Sequence, residues 1–377
     1  MIPLSIPNLS EVEEKSVARA LASGWVSTAG PDIADFEKQL AERCGVRFAI
    51  ALNSGTSALH LALLSLDCGP NDFIICPNLS FVATANAISY TGAEPIFIDT
   101  APDNLQMDLD LLAEFLDQQT EFKNGVSYFK GTDREIKAIL PVHILADSCD
   151  MDRLLELARA KGIPVVEDAA AALGATYKER PLGSMGLLGT LSFNGNKIIT
   201  TGGGGAVLTN DPRLADHVRH LAQQAKSFPI EYIHDAIGFN YGMPNLSAAL
   251  GLAQLSRLDA FLERKRAIRS AYENAFASID TLSIAPIGGD VHAPGFWLNA
   301  VFTPLSRQLE AFLEANDIQT RKLWVPMNRL PMYGKALYYH QNDHSHRWYE
   351  ESLCLPSSTS LTEEEQNSVI TAVASFF

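Results

Sequence analysis
Short apolar runs alternate with longer amphipathic tracts over the first two hundred residues, and this alternation constrains the fold more than any other feature. The runs are Arg47 to Leu52, Phe73 to Cys76, Glu94 to Ile98, Ile136 to Val142, Pro164 to Glu167, Gly189 to Phe193 and Gly204 to Thr209. Runs this short and this apolar read as strands covered on both faces, and the tracts between them as crossover helices. The pattern predicts an α/β fold whose large domain holds a mostly parallel seven-stranded sheet. With 377 residues, 47% of them hydrophobic, the chain is long enough for two domains. The expected division is 1–245, an N-terminal arm and the large domain, and 246–377, a linking helix and a smaller C-terminal α/β domain. Arg213 to Ala225 reads as an amphipathic helix. Asn245 to Glu273 reads as a long helix or helix pair and a hinge, with Leu250, Leu252, Leu255 and Leu258 available for packing. Gly288-Gly289-Asp290 and the strand-like run Phe296 to Phe302 open the smaller domain, which Arg307 to Asn316 continues as a helix.

The chemistry concentrates in Ser192-Phe193-Asn194-Gly195-Asn196-Lys197, followed by Ile198-Ile199-Thr200-Thr201 and the glycines 202 to 205. A lysine framed by small polar residues reads as a reactive amine. In a soluble enzyme the commonest partner for such an amine is pyridoxal phosphate, bound as a Schiff base. That cofactor needs an acid to keep its pyridine nitrogen protonated, and Asp168 ends the apolar run Ile163-Pro164-Val165-Val166-Glu167. It also needs an anion site. Asn53-Ser54-Gly55-Thr56-Ser57 leads directly into the apolar helix Ala58 to Leu64, whose first amides have no partner within the helix. Each part alone has a plain alternative: a solvated turn lysine, a helix-capping carboxylate, a common loop start. Their order and spacing make the combination specific.

On these segments, together with Gly24-Trp25-Val26-Ser27-Thr28-Ala29-Gly30-Pro31, Asn240-Tyr241-Gly242-Met243-Pro244-Asn245 and Ile318-Gln319-Thr320-Arg321, the chain resembles the sugar-nucleotide aminotransferases of the DegT/DnrJ/EryC/StrS type. These are fold-type I pyridoxal-phosphate enzymes related to aspartate aminotransferase, and the likeness runs from about Ile2 to the C-terminus. The resemblance implies that Lys197 and Asp168 are catalytic, and that Gly55, Thr56, Ser57, Phe81, Asp168, Ser192, Lys197 and Asn240 hold the cofactor. Phe81 would stack on the cofactor ring, core packing being its plain alternative. Asn240 would reach the phosphate of a neighbouring subunit, which implies a homodimer with shared active sites. Lys226, Tyr241, Arg321 and Trp324 become substrate-binding candidates, with Lys322 a further cation for a diphosphate. His143 could line the pocket or satisfy backbone groups at its strand end, and a structural role is favoured.

A narrower likeness, carried by the lysine segment, Glu231-Tyr232-Ile233-His234 and Leu330-Pro331-Met332-Tyr333, is to members that aminate UDP-2-acetamido-2,6-dideoxy-hexos-4-ulose at C4 in bacillosamine and legionaminic acid synthesis. The implied reaction moves an amino group from L-glutamate to that ketone, cycling the cofactor through its pyridoxamine phosphate form. A C3 or dTDP-/GDP-linked keto-sugar aminotransferase is the first alternative, and a non-catalytic paralogue that binds cofactor and nucleotide sugar is another. Two residues depart from the family pattern: Ala171 stands where Gln, Glu or His is usual, and Gly242 where Arg is common.

Bulk properties fit a small-molecule enzyme. A net charge of −15 argues against nucleic acid and anionic membranes as partners. The N-terminus lacks signal-peptide character and no uncharged apolar run reaches the ~18 residues of a membrane span, so a cytoplasmic location is expected. Cys44, Cys68, Cys76, Cys149 and Cys354 are odd in number and scattered, which predicts buried thiols, no disulfide framework and no metal site.

Overall fold
The computed structural model describes residues 1–228, 231–287 and 291–377. All seven apolar runs form strands of one sheet: β1 (Phe48–Leu52), β2 (Phe73–Pro77), β3 (Glu94–Ile98), β4 (Ile136–Ile139), β5 (Val166–Asp168), β6 (Leu188–Ser192) and β7 (Gly205–Thr209). An eighth, β8 (Leu337–Tyr339), pairs in parallel with β3. The spatial order is β8-β3-β2-β4-β5-β6-β7-β1, its halves joined by parallel bridges between Ile139 and Val165 and between Val142 and Asp168. β7 is antiparallel to both of its neighbours. The eighth strand was not anticipated. It has three half-buried residues, two of them tyrosines, and no apolar run marks it.

Alternation within the strands assigns each side chain to one of two layers. Ala49, Ala51, Ile75, Ile96, Ile98 and Leu191 face one apolar core. Ile50, Leu52, Ile74, Cys76, Phe97 and Val166 face the other. Helix α1 (Glu11–Ser23) and helix α2 (Pro31–Cys44) pack on the helix Asn245–Ser256, whereas α3 (Gly55–Leu64) packs on β6 and β7 and on α4 (Ala83–Tyr90), which lies over β2 and β3. α1 opens with a capping box, Ser10 to Glu13, and Glu13 is also bonded by Arg257 and Gln254.

The tract from Asn245 resolves as a helix pair, Asn245–Ser256 and Leu258–Phe276, broken at Arg257. Its first member does not pack through Leu250, which is only half-buried. Ala248, Ala249, Gly251 and Ala253 form the buried face instead. The reason is close approach, since a Cβ on Gly251 would stand 2.8 Å from the Phe36 ring. Farther on, Ser283–Ile284, Asn299–Phe302 and Ser352–Leu355 make an antiparallel sheet. A separate apolar core lies here, formed by residues such as Tyr272, Leu309, Leu353 and Val369. Gly288-Gly289-Asp290, expected to open this region, lie outside the described residues. All five cysteines are buried free thiols, and no helix among the described residues is long and apolar enough to cross a membrane.

Candidate active site
In a parallel sheet flanked by helices on both faces, the carboxyl ends of the strands and the amino ends of the following helices meet on one edge, and ligands bind there. Here that edge collects the end of β5 with Asp168, the end of β6 with Ser192, the start of α3 and the loop from β2 to α4. Because β7 runs the other way, its beginning, Gly203 to Gly205, reaches the same edge. Together they surround a cavity of about 430 Å³, a size ordinary for a small-molecule site.

Of the residues singled out from the sequence, Gly55, Thr56, Phe81, Asp168, Ser192, Lys197, Arg321 and Trp324 line this cavity. Ser57 is buried in the first turn of α3, where its Oγ donates to Asn53 Oδ1 at 2.7 Å and its N–H to Ser54 Oγ at 3.0 Å. Asn240, Tyr241 and Lys226 are not on the cavity wall of the single chain. Asn240 is exposed, and its carbonyl accepts from Asn53 Nδ2. The Tyr241 ring stacks on Phe239 at 4.9 Å, and Lys226 Nζ sits 4.2 Å from the centre of the exposed Tyr232 ring. Lys322 donates to Ser306 Oγ and to the Glu350 carbonyl.

Burial pushes the Lys197 ammonium down to about 8; the Asp168 carboxylate opposes that fall and the Arg321 guanidinium adds to it. A near-neutral pKa leaves a usable fraction of free amine, the nucleophilic form. Asp168 is buried too. Burial pushes its carboxyl above the ordinary range, against hydrogen bonds from Thr84 Oγ1 at 2.7 Å and the Ala170 N–H at 3.2 Å. Such a carboxylate gains from a cation set against it, as a pyridinium N–H would be.

Next to it, burial raises Glu167 as well, but the His143 ring and the amides of Gly183 and Gly186 win and hold it below the usual range. His143 Nε2 is 2.8 Å from Glu167 Oε2. Its Nδ1 is buried and finds no hydrogen-bond partner among the described residues. His143 lines the cavity, and its ring binds the Glu167 carboxylate instead of capping the turn at its strand end.

The cavity fits pyridoxal phosphate by its own construction. The amides of Gly55 and Thr56 precede the first bonds of α3 and line the space, giving an anion a helix terminus. A Cβ on Gly205 would lie 2.4 Å from the Ser54 carbonyl oxygen, so glycine is what lets β7 run against this loop. Phe81, 56% exposed, offers a bare ring on the wall. Ala171 also lines the wall, so the lost polar group falls at the site. Gly242 does not. It lies beside Thr28, where a Cβ would make ordinary contact.

Sequence reasoning missed Thr84 and Trp297. Trp297 lines the cavity with its ring centre 3.8 Å from Lys197 Nζ, and it stacks on Trp324 at 6.2 Å with 14° between the planes. A tryptophan in an apolar run signals core, and a threonine in a first helical turn signals nothing in particular.

Comparison with known proteins agrees with this geometry. The model of the DegT/DnrJ/EryC1/StrS aminotransferase family matches residues 7–374. EpsN of Bacillus subtilis (strain 168) is 38% identical over 100% of this chain and 96% of its own length. GDP-perosamine synthase of Escherichia coli O157:H7 is 35% identical over 100% of this chain and 98% of its own. Spr1654 from Streptococcus pneumoniae, solved in its PLP form, superposes with a TM-score of 0.88 at 26% identity, covering 100% of this chain and 99% of that one. A PMP form of the same protein is also known. The chain therefore belongs to the DegT/DnrJ/EryC1/StrS family and is a sugar aminotransferase that uses pyridoxal phosphate.

Proposed function
We propose that this enzyme transfers an amino group from L-glutamate to the C4 ketone of a nucleotide-linked 4-keto-6-deoxy sugar, with UDP-2-acetamido-2,6-dideoxy-hexos-4-ulose as the first acceptor to test. The observation that carries the reading is Lys197, buried within the electrostatic reach of Asp168 in a cavity that the N-terminus of α3 also lines. Pyridoxal phosphate, when bound, supplies an aldehyde for the amine and a ring that accepts the electron pair released at the donor's α-carbon. The chain supplies the rest. Gly55, Thr56 and Ser192 hold the phosphate, Phe81 and the opposite wall fix the ring plane, and Asp168, kept in place by Thr84, keeps the ring nitrogen protonated. Lys197 would be the base that takes the donor's α-proton and delivers it to the carbon on the far side of the transferred nitrogen. Arg321, a cation that shares the cavity wall with the lysine, would take the donor's carboxylate or the sugar's diphosphate.

A second reading has its own support, because two relatives at 35% and 36% identity are GDP-perosamine synthases; it keeps the transfer and changes the acceptor to a GDP-linked sugar. The missing side chain at Ala171 favours neither nucleotide. Glutamate added to the holoenzyme should remove the visible absorbance of the bound cofactor and release 2-oxoglutarate. UDP-, GDP- and dTDP-linked 4-keto sugars are then compared for its return, with the amine position read by NMR. If only the GDP sugar restores the band, the UDP assignment is wrong; if an amine other than glutamate is required, the donor is.

The active unit is proposed to be a homodimer in the cytoplasm. The support is the hairpin Lys226–Phe228 and Ile233–His234, which carries Phe228, Tyr232 and Ile233 with Ile237 just beyond it, all exposed in the single chain. Such apolar exposure marks an interface. Asn240 at the end of this segment would then serve the second copy's cavity, which accounts for its place outside its own.

A further inference from the structure
Lys265 is a buried lysine that the proposed chemistry does not use. It lies on the helix Leu258–Phe276 and is 3% exposed. Among the described residues no carboxylate pairs with it, and burial alone pushes its ammonium down to about 7. Its Nζ donates to two main-chain carbonyls, Trp297 at 2.7 Å and Ser357. A methionine would fill the same volume without the desolvation cost of an amine. The lysine thus makes sense through what those carbonyls hold in place.

The Trp297 carbonyl leads to the reactive amine in two steps. The indole N–H of Trp297 donates to the carbonyl of Asn196, the residue before Lys197, and the indole ring lies 3.8 Å from Lys197 Nζ. One side chain therefore holds both the backbone and the ammonium of the catalytic lysine. Ser357, the other residue gripped by Lys265, accepts from the Asn299 N–H, two residues beyond Trp297. Lys265 thus ties the Trp297 carbonyl to Ser357, which in turn holds Asn299 at the start of the strand Asn299–Phe302.

We propose that Lys265 is a positioning residue for Lys197, fixing Trp297 so that its indole face lies against the Lys197 ammonium while its N–H holds the Asn196 carbonyl. This rests on Lys197 being the reactive amine. It gives the helix Leu258–Phe276 a hold on the reactive lysine through Trp297.

The test titrates Lys197 itself in the cofactor-free protein, by mass spectrometry of reductive methylation with formaldehyde across pH. Asp168 and Arg321, the other charged groups facing Lys197, are untouched in every variant. Trp297→Leu removes the aromatic face and lowers the Lys197 midpoint by roughly 0.5–1.5 units, the range expected for a partly desolvated cation–π contact. Lys265→Met lowers it in the same direction, and the double variant goes no further than the larger single change, because both act through one contact. Should Lys265→Met not fold, Lys265→Gln, which keeps one donor, decides: its midpoint falls as well, or the proposal is overturned. A purely structural Lys265 would lower the thermal midpoint of unfolding and leave Lys197 at its wild-type value, which would also overturn it. Absorbance of added pyridoxal phosphate on the wild-type protein reports separately on the cofactor. Shifted midpoints without a cofactor band uphold the positioning role and discard the cofactor assignment, whereas a normal band with unshifted midpoints does the reverse.

Discussion
At the scale of single residues, burial sets the chemistry. Lys197 and Asp168 are both pulled toward their neutral forms by desolvation, and each needs the other or a ligand to offset that. In the cofactor-free protein, capture of pyridoxal phosphate should rise with pH around a midpoint near 8 instead of the ordinary lysine range, followed by visible absorbance. The sign for stability follows. The folded state sheds this proton at a lower pH than the unfolded chain, so the apo fold carries the full penalty below pH 8 and recovers it as pH rises toward 10.5. Thr84→Val keeps the shape of a buried residue but takes a donor from Asp168. Its expected effect is a loss of about 1.5–3 kcal/mol in cofactor affinity, a 10- to 100-fold rise in Kd read by fluorescence titration. Lys197 and Asp168 were legible in the sequence because their chemistry is specific and their order fixed. Thr84 and Trp297 were not, since their roles arise only from contacts with residues 84 and 100 positions away.

Elements place these residues by direction as much as by type. Seven strands, β1 to β6 and β8, run toward the cavity edge and β7 begins there, which is why a run of glycines after the lysine faces the anion site at the start of α3. Gly205→Ala would drive a methyl group to within 2.4 Å of the Ser54 carbonyl oxygen, so the loop must move. The variant is expected to lose about 1–3 kcal/mol of stability, and added cofactor should raise its Tm less than that of the wild type in thermal unfolding. The seven apolar runs announced their strands because both faces of each are covered. β8 stayed hidden since it sits at the sheet edge, half-buried, and needs only three residues. Leu250 misled because helices in close contact bury small residues and a hydrophobic count rewards large ones, whereas Leu252 and Leu255 do pack, partly buried, against the core and Leu258 lies within it.

For the whole molecule, a single chain leaves the hairpin around Tyr232 and Ile237 bare and Asn240 away from its own cavity. Ile237→Asp, at a position 88% exposed in the single chain, should leave the fold's Tm nearly unchanged if the chain were monomeric. The expected outcome is instead a shift from dimer to monomer in sedimentation velocity, with turnover falling in proportion. The sequence by itself determined the layered α/β architecture, and it singled out Lys197, Asp168 and the loop at Gly55 and Thr56, which the fold brings to one cavity. These depend on local pattern and on the chemical nature of a few side chains, which linear order preserves. Only the tertiary structure decided which polar groups hold those residues, that Trp297 lies against the lysine, that Ser57 turns into its own helix, and that a buried lysine at 265 holds the Trp297 carbonyl. Such contacts are set by the packing of distant elements, where burial and distance fix the energy of each interaction and sequence separation does not.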